Sequence, residues 1–392
     1  MRTQTLSALA LLTLAACSDS HMAEPRAVAP NGAALDRGTN DDSDFRGGSG
    51  DLTHSALFTL SNSATDNAVL AFVRRDDGGL VPAGSFSTGG RGTGAGLGSS
   101  GALAMSEDGN YLFAVNAGSN EVTSFRIHGR SLDRMSRVSS GGTTPISVTV
   151  KNHLLYVLNA GGSGNISGFL VLGDGHLLPI PNSTRPLSSS ASGPAQISFS
   201  PLGDALVVTE KNTNVISTYR LGLFGLMSNP IVTPSVGVTP FGFAFGRLGN
   251  LIVSDAAGGA TDASAATSYR LGFDGHLTAL TGAVPTTETS ACWVAVTDDG
   301  RYAYLANTGS GTITGYRVGI RGDLTILNAD GRAGVTGAAP ADIAVSNGNR
   351  FLYTIAGGSH GINGFALHAD GSLTALAAVT AIPAGTVGLV VE

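Results

Sequence analysis

The chain has 392 residues, a formal net charge of -6 and only 13% charged residues. This mild acidity, with no basic stripe anywhere, excludes nucleic acid as an expected partner. Its 56 glycines follow no three-residue period, which excludes collagen; scattered among short β-branched runs, they imply many tight turns between strands.

In chain order, Arg2 precedes a short apolar run, residues 6–14, that is too brief to span a bilayer and reads as a secretory segment. It ends in Leu14-Ala15-Ala16-Cys17, small residues leading to a cysteine, the pattern of a bacterial lipoprotein signal. Residues 1–17 are therefore expected to form a signal peptide with Cys17 as the lipidation site, and the mature protein to sit in the bacterial cell envelope. Ser18 supplies no Asp-type retention signal, so the outer membrane, facing the periplasm or the cell surface, is the expected destination. Residues 18–50, rich in Ala, Pro, Asp, Asn and Gly without an apolar period, read as a flexible tether.

Residues 51–392 repeat one unit. A short strand ends at Asn62, Asn116, Asn159, Glu210, Asp255, Asn307 and Ala356, with 43 to 54 residues between successive markers. Each marker is followed by an alternating strand closed by an aromatic: Phe72, Phe125, Phe169, Tyr219, Tyr269, Tyr316 and Phe365. Turns such as Asp174-Gly175, Asp274-Gly275 and Asp370-Gly371 come next, then a strand opening near proline, as in PISVTV, PAQISFS, PFGFAFG and PADIAVS. Asp-Gly and Asn-Gly supply the positive φ of tight hairpins. Repeats of 40–50 residues with four strands each predict an all-β, seven-bladed β-propeller of four-stranded antiparallel blades. The chain starts with a second-strand sequence, ALFTL, and ends with a first-strand sequence, VGLVV, so the C-terminal strand is expected to complete the first blade and close the ring.

Two local patterns carry no site of their own. The acidic turns lack EF-hand spacing, so no cofactor is expected, and calcium is only compatible with them. The segment GGRGTGAGLGSSG at 89–101 lacks both a Gly-Lys-Ser/Thr element and a following helix, and reads as an inter-blade loop.

The repeated (F/Y)-x-x-N-x-G strands, the G-x-L turns and the hairpin at Thr297 to Tyr302 resemble the lactonase family of seven-bladed propellers, which includes phosphogluconolactonase and carboxymuconate cyclase. The resemblance covers roughly residues 56 to 392. It implies a channel mouth where His, Arg and acidic residues polarise a lactone carbonyl and activate water. Positions after the opening proline here hold Ile146, Ala195-Gln196, Phe241 and Ala341-Asp342, with Cys292-Trp293 in the matching slot; none is His or Arg.

Blade topology puts loops entering strand one and leaving strand two on one face, where propeller ligands usually sit. Of the histidines, only His360 and His54 fall there. Glu210 and Asp255 replace the repeat's Asn in adjacent blades, and two converging carboxylates could act as acid and base or hold a cation; the alternative is that they cap turns as Asn does. Glu210, Asp255 and His360 are thus the candidate catalytic residues. Gln196, Phe241, Trp293, Asp342 and Arg185 are the candidate ligand contacts. The function expected is an envelope propeller, monomeric and membrane-held through Cys17, that binds a small molecule or protein partner at the channel mouth, with hydrolysis of lactones or related cyclic esters as the alternative. A mouth crowded with Glu210, Asp255, Asp342 and His360 would favour chemistry; an apolar mouth around Phe241 and Trp293 would favour binding.

Overall fold

The alternating β-branched and aromatic runs fold into strands joined by hairpins, in a computed structural model that describes residues 55–380 and 382–392. The signal segment, Cys17, the tether and His54 lie outside the described residues. Seven antiparallel sheets follow one another, each with its first strand innermost. Blades 2 to 7 open with inner strands Leu103–Met105, Pro145–Lys151, Pro194–Phe199, Pro240–Phe245, Ala291–Val296 and Pro340–Val345. The outer strand is broken in two in blades 3, 6 and 7.

Blade 1 is closed by the chain's two ends. Val387–Val391 pairs with Ala56–Leu60 as its innermost strand, matching Leu57 with Val391 and Leu60 with Val387. The inner strands then neighbour one another around the ring, including the Val387–Val391 strand between those of blades 7 and 2. Closure removes the long unpaired edges that an open sheet would expose.

Apolar clusters fill the spaces between blades, and buried tyrosines bolt several blades to their neighbours. Tyr156 donates to the Gly225 carbonyl at 2.7 Å, Tyr304 to Gly371 at 2.8 Å and Tyr353 to Gly78 at 2.7 Å, the last crossing the first-to-last seam. Each ring buries apolar surface while its hydroxyl finds a carbonyl in the neighbouring turn. The inner strands slip register by one residue just after they open, between Pro145 and Ser147, Pro194 and Gln196, Pro240 and Phe243, Ala291 and Trp293, and Ala341 and Ile343. This repeated bulge re-aims the side chains around the channel.

Candidate functional site

Six of the seven marker residues end the second strand of their blade. Their side chains turn to the third strand of the same blade. Asn116 donates to Thr123 Oγ1 at 2.9 Å, and Asn307 to Thr314 Oγ1 at 2.9 Å. Glu210 accepts from Ser217 Oγ at 2.6 Å, from the Ser188 N–H at 3.2 Å and from the Ser188 hydroxyl. Asp255 accepts from Thr267 Oγ1 at 2.6 Å. Both carboxylates are buried, and no hydrogen bond or ion pair joins them. Each holds a third-strand hydroxyl of its own blade, as Asn116 and Asn307 do, rather than capping a turn. Asp255 Oδ1 has no hydrogen-bond partner, and burial pushes the carboxyl up to about 7.

A polar belt runs around the inner strands. Ser147 Oγ accepts from the Ile197 N–H at 3.2 Å. Gln196 bonds the Phe243 backbone twice, accepting from N–H at 2.8 Å and donating to the carbonyl at 2.9 Å. Asp342 accepts from the Gly388 N–H at 2.6 Å, and from the Gly101 N–H and the Ser100 hydroxyl. Each side chain ties its blade to another inner strand. Burial pushes Asp342 up to about 6, against the pull of those three donors.

The glycine-rich segment is the loop between blades 1 and 2, as its sequence implies, and it also reaches across the channel. The Ser99 carbonyl accepts from Trp293 Nε1 of blade 6 at 3.0 Å, and Ser99 Oγ donates to the Ile146 carbonyl of blade 3 at 3.0 Å. The Ser100 N–H donates to the Ala195 carbonyl of blade 4 at 3.0 Å, while Asp342 of blade 7 holds Ser100 and Gly101. Residues 98–101 therefore cover the mouth and touch four blades besides their own. The packing requires glycine at Gly92, where a Cβ would lie 2.2 Å from the Asn62 carbonyl oxygen.

Beneath this cover, Phe241 and Trp293 meet edge to face with ring centroids 5.3 Å apart. Lys211, the residue after Glu210, points its ammonium over the Phe241 ring at 4.7 Å and donates to the Gly98 carbonyl at 2.6 Å. No carboxylate pairs with it among the described residues. Desolvation pushes its ammonium down to about 8. The structure thus brings Lys211, Phe241 and Trp293 together and places Asp342 against the same covering segment. It leaves two further expected residues elsewhere. Arg185 spends its donors on the Met227, Asn182 and Thr184 carbonyls; His360 is exposed in a left-handed turn after blade 7's second strand.

Sequence reasoning missed Lys211 as a mouth residue. Its signal was rarity: it is one of only two lysines, at the face where ligands usually sit. A partly desolvated ammonium over an aromatic wall can hold an anion or polarise a carbonyl. No group of three His, Cys, Asp or Glu residues that could hold a metal occurs among the described residues.

Comparison with known proteins agrees with this architecture. The family described as "Lactonase, 7-bladed beta-propeller" matches residues 63–180 and 256–387. No curated protein sequence matches the chain. Among solved structures, a Lactobacillus plantarum protein is 19% identical with a TM-score of 0.71, over 86% of this chain and 98% of its own. The periplasmic gluconolactonase of Pseudomonas aeruginosa is 19% identical with a TM-score of 0.69, over 86% and 99%. A candidate 6-phosphogluconolactonase from Bacteroides fragilis is 16% identical with a TM-score of 0.68, over 87% and 99%. At such identities these likenesses speak for the fold alone, whereas the family match spans well over half of the sequence, and the chain belongs to the lactonase family of seven-bladed β-propellers.

Proposed function

We propose that the protein works in the bacterial cell envelope, held by a lipid on Cys17, and that its channel mouth binds a small anionic ligand, a phosphorylated or carboxylated sugar lactone being the class to which the family points. The observation that carries this is the Lys211 ammonium, desolvated over Phe241 and satisfied only by a main-chain carbonyl. A buried cation without a counter-charge is costly, and an anionic ligand offsets that cost. Phe241 and Trp293 supply an apolar wall for a ring face. Entry requires residues 98–101 to give way, so that the ligand replaces Gly98 on Lys211. The gluconolactonase neighbour is periplasmic, which supports an envelope setting; the outer membrane remains the destination that Ser18 suggests.

Lactone hydrolysis is the second reading, favoured by the family and by the meeting of Lys211 and Asp342 on one covering segment. In that reading Lys211 polarises the lactone carbonyl, and Asp342, with its raised proton affinity, accepts a proton from the attacking water. Acid release from gluconolactone and 6-phosphogluconolactone, followed by pH-stat at pH 7, separates the two. Hydrolysis predicts release above the buffer rate that falls at least tenfold in Lys211→Met. Binding alone predicts the buffer rate together with a ligand-dependent rise in melting temperature. Neither response overturns the lactone assignment. For the anchor, the N-terminal peptide of the unsubstituted protein should carry lipid mass at Cys17 and that of Cys17→Ser should carry none; an N-terminal peptide without lipid mass in the unsubstituted protein would contradict it.

A further inference from the structure

The face opposite the mouth carries a second surface. Turns joining strands one to two and three to four all lie on that face. In blades 4 to 6 five of these turns end in large apolar side chains: Leu202 (75% exposed), Leu223 and Phe224 (80% and 88%), Leu248 (82%), Phe273 (87%) and Ile320 (66%). No other large hydrophobic in the described structure except Val335 is exposed by more than 60%. The corresponding turns of other blades are polar, with Asp108, His153, Asp174, Asn349 and Asp370 at their tips.

Local backbone preference does not explain these residues. Phe224-Gly225 and Leu248-Gly249 close three-residue hairpin loops, 223–225 and 247–249, with positive φ at both positions, 58° and 75°, 56° and 73°. Such turns favour Asn or Asp before glycine, and bulky side chains there meet steric resistance. The chain keeps Phe and Leu where its own repeat elsewhere uses a polar residue.

We propose that these tips form a docking face for the surface of a lipid bilayer. They stand on separate hairpins of consecutive blades, so each can enter the interfacial layer on its own. The described chain begins at Ser55, directly before Ala56–Leu60, and that strand starts on this same face, paired at Leu57 with the end of the closing strand. The 54 preceding residues, with Cys17 among them, therefore join the described chain on the face that carries the tips. A lipid on Cys17 would present this face to the membrane; that setting rests on the anchor reading above, while the docking itself does not. Arg220, Arg270, Arg317 and Arg321 near the tips are offset by Asp204, Asp274 and Asp323, so attachment is chiefly apolar and only weakly salt-sensitive.

The test uses the full chain carrying Cys17→Ser, hence without lipid, floated with vesicles of phosphatidylethanolamine and phosphatidylglycerol at low and high salt. The expected result is flotation in both salts. Adding Phe224→Asn, Leu248→Asn and Phe273→Ser should reduce the floated fraction at least tenfold without lowering the melting temperature, since Asn suits both turns. A lipid-free chain that stays with the soluble fraction, or a triple variant that floats as well as its parent, overturns the proposal. So does self-association through the tips, seen as a dimer that the triple variant dissolves without any flotation. Loss of lipid at Cys17 in cells would overturn the anchor while leaving this outcome unchanged.

Discussion

Removing residues 385–392 is expected to abolish cooperative unfolding. The deletion takes away the innermost strand of blade 1 and leaves Leu57, Phe58, Thr59 and Leu60, each wholly buried, without ladder partners on their channel side. Asp342 loses the Gly388 N–H, and the Val387 carbonyl no longer accepts from Thr59. Buried main-chain groups left unpaired cost about 1–3 kcal/mol each. Several of them together approach the roughly 5–15 kcal/mol that stabilises an ordinary domain. The freed edge is apolar and lies beside the channel, so aggregation accompanies the loss. Circular dichroism melting should show a broad transition with precipitation. An unchanged, reversible melt would place ring closure elsewhere.

Asp255→Asn and Glu210→Asn are expected to change stability in opposite directions, although both restore the repeat's residue. The Asp255 carboxyl is pushed up to about 7 by burial, above its value of 3.8 in the unfolded chain. The folded state then holds its proton more tightly than the unfolded state between those values. Stability is greatest below about pH 4, declines as pH rises towards 7, and stays reduced above it. Asn carries no charge to desolvate and can donate to Thr267 as Asn116 and Asn307 donate to theirs. Asn159 and Asn307 already tolerate an unpaired amide oxygen at this position. Asp255→Asn should therefore gain roughly 4 kcal/mol at pH 8, and almost nothing at pH 4. Glu210 differs because its longer side chain reaches both Ser188 and Ser217. A shorter Asn strands part of that set, at a cost of about 2–4 kcal/mol. Denaturant unfolding at pH 4 and pH 8 reads both effects. A gain for Asp255→Asn that does not depend on pH, or a neutral Glu210→Asn, would contradict the account.

The blade was legible because its signals are local. Marker residues such as Asn116 and Asn307, the Asp-Gly turns and the opening prolines each fix nearby backbone, and their recurrence fixes the ring. The start at ALFTL and the end at VGLVV revealed the closure. The mouth was less legible because its contacts are long-range. Nothing in the spacing of Gly98, Ser99 and Gly101 shows that they reach Lys211, Trp293 and Asp342 across the channel. Glu210 and Asp255 stood out as departures from the repeat, yet the hydroxyls that hold them, Ser217 and Thr267, lie in the same blade and explain them. Lys211 was hidden beside Glu210 in the turn that follows the strand; the carboxylate is taken by Ser188 and Ser217, while the ammonium reaches Gly98.

The most direct test of the ligand-binding mouth is a calorimetric titration with an anionic lactone between pH 7 and pH 9.5, on the unsubstituted protein and on Lys211→Met. The free Lys211 ammonium gives up its proton near pH 8. An anion bound beside it holds that proton, so binding should take up protons around pH 8 and weaken by about tenfold towards pH 9.5. Lys211→Met should bind at least tenfold more weakly at pH 7 and show no such pH dependence. Equal affinity in the two proteins, or an affinity that stays flat across this range, would remove Lys211 from the site and contradict the account.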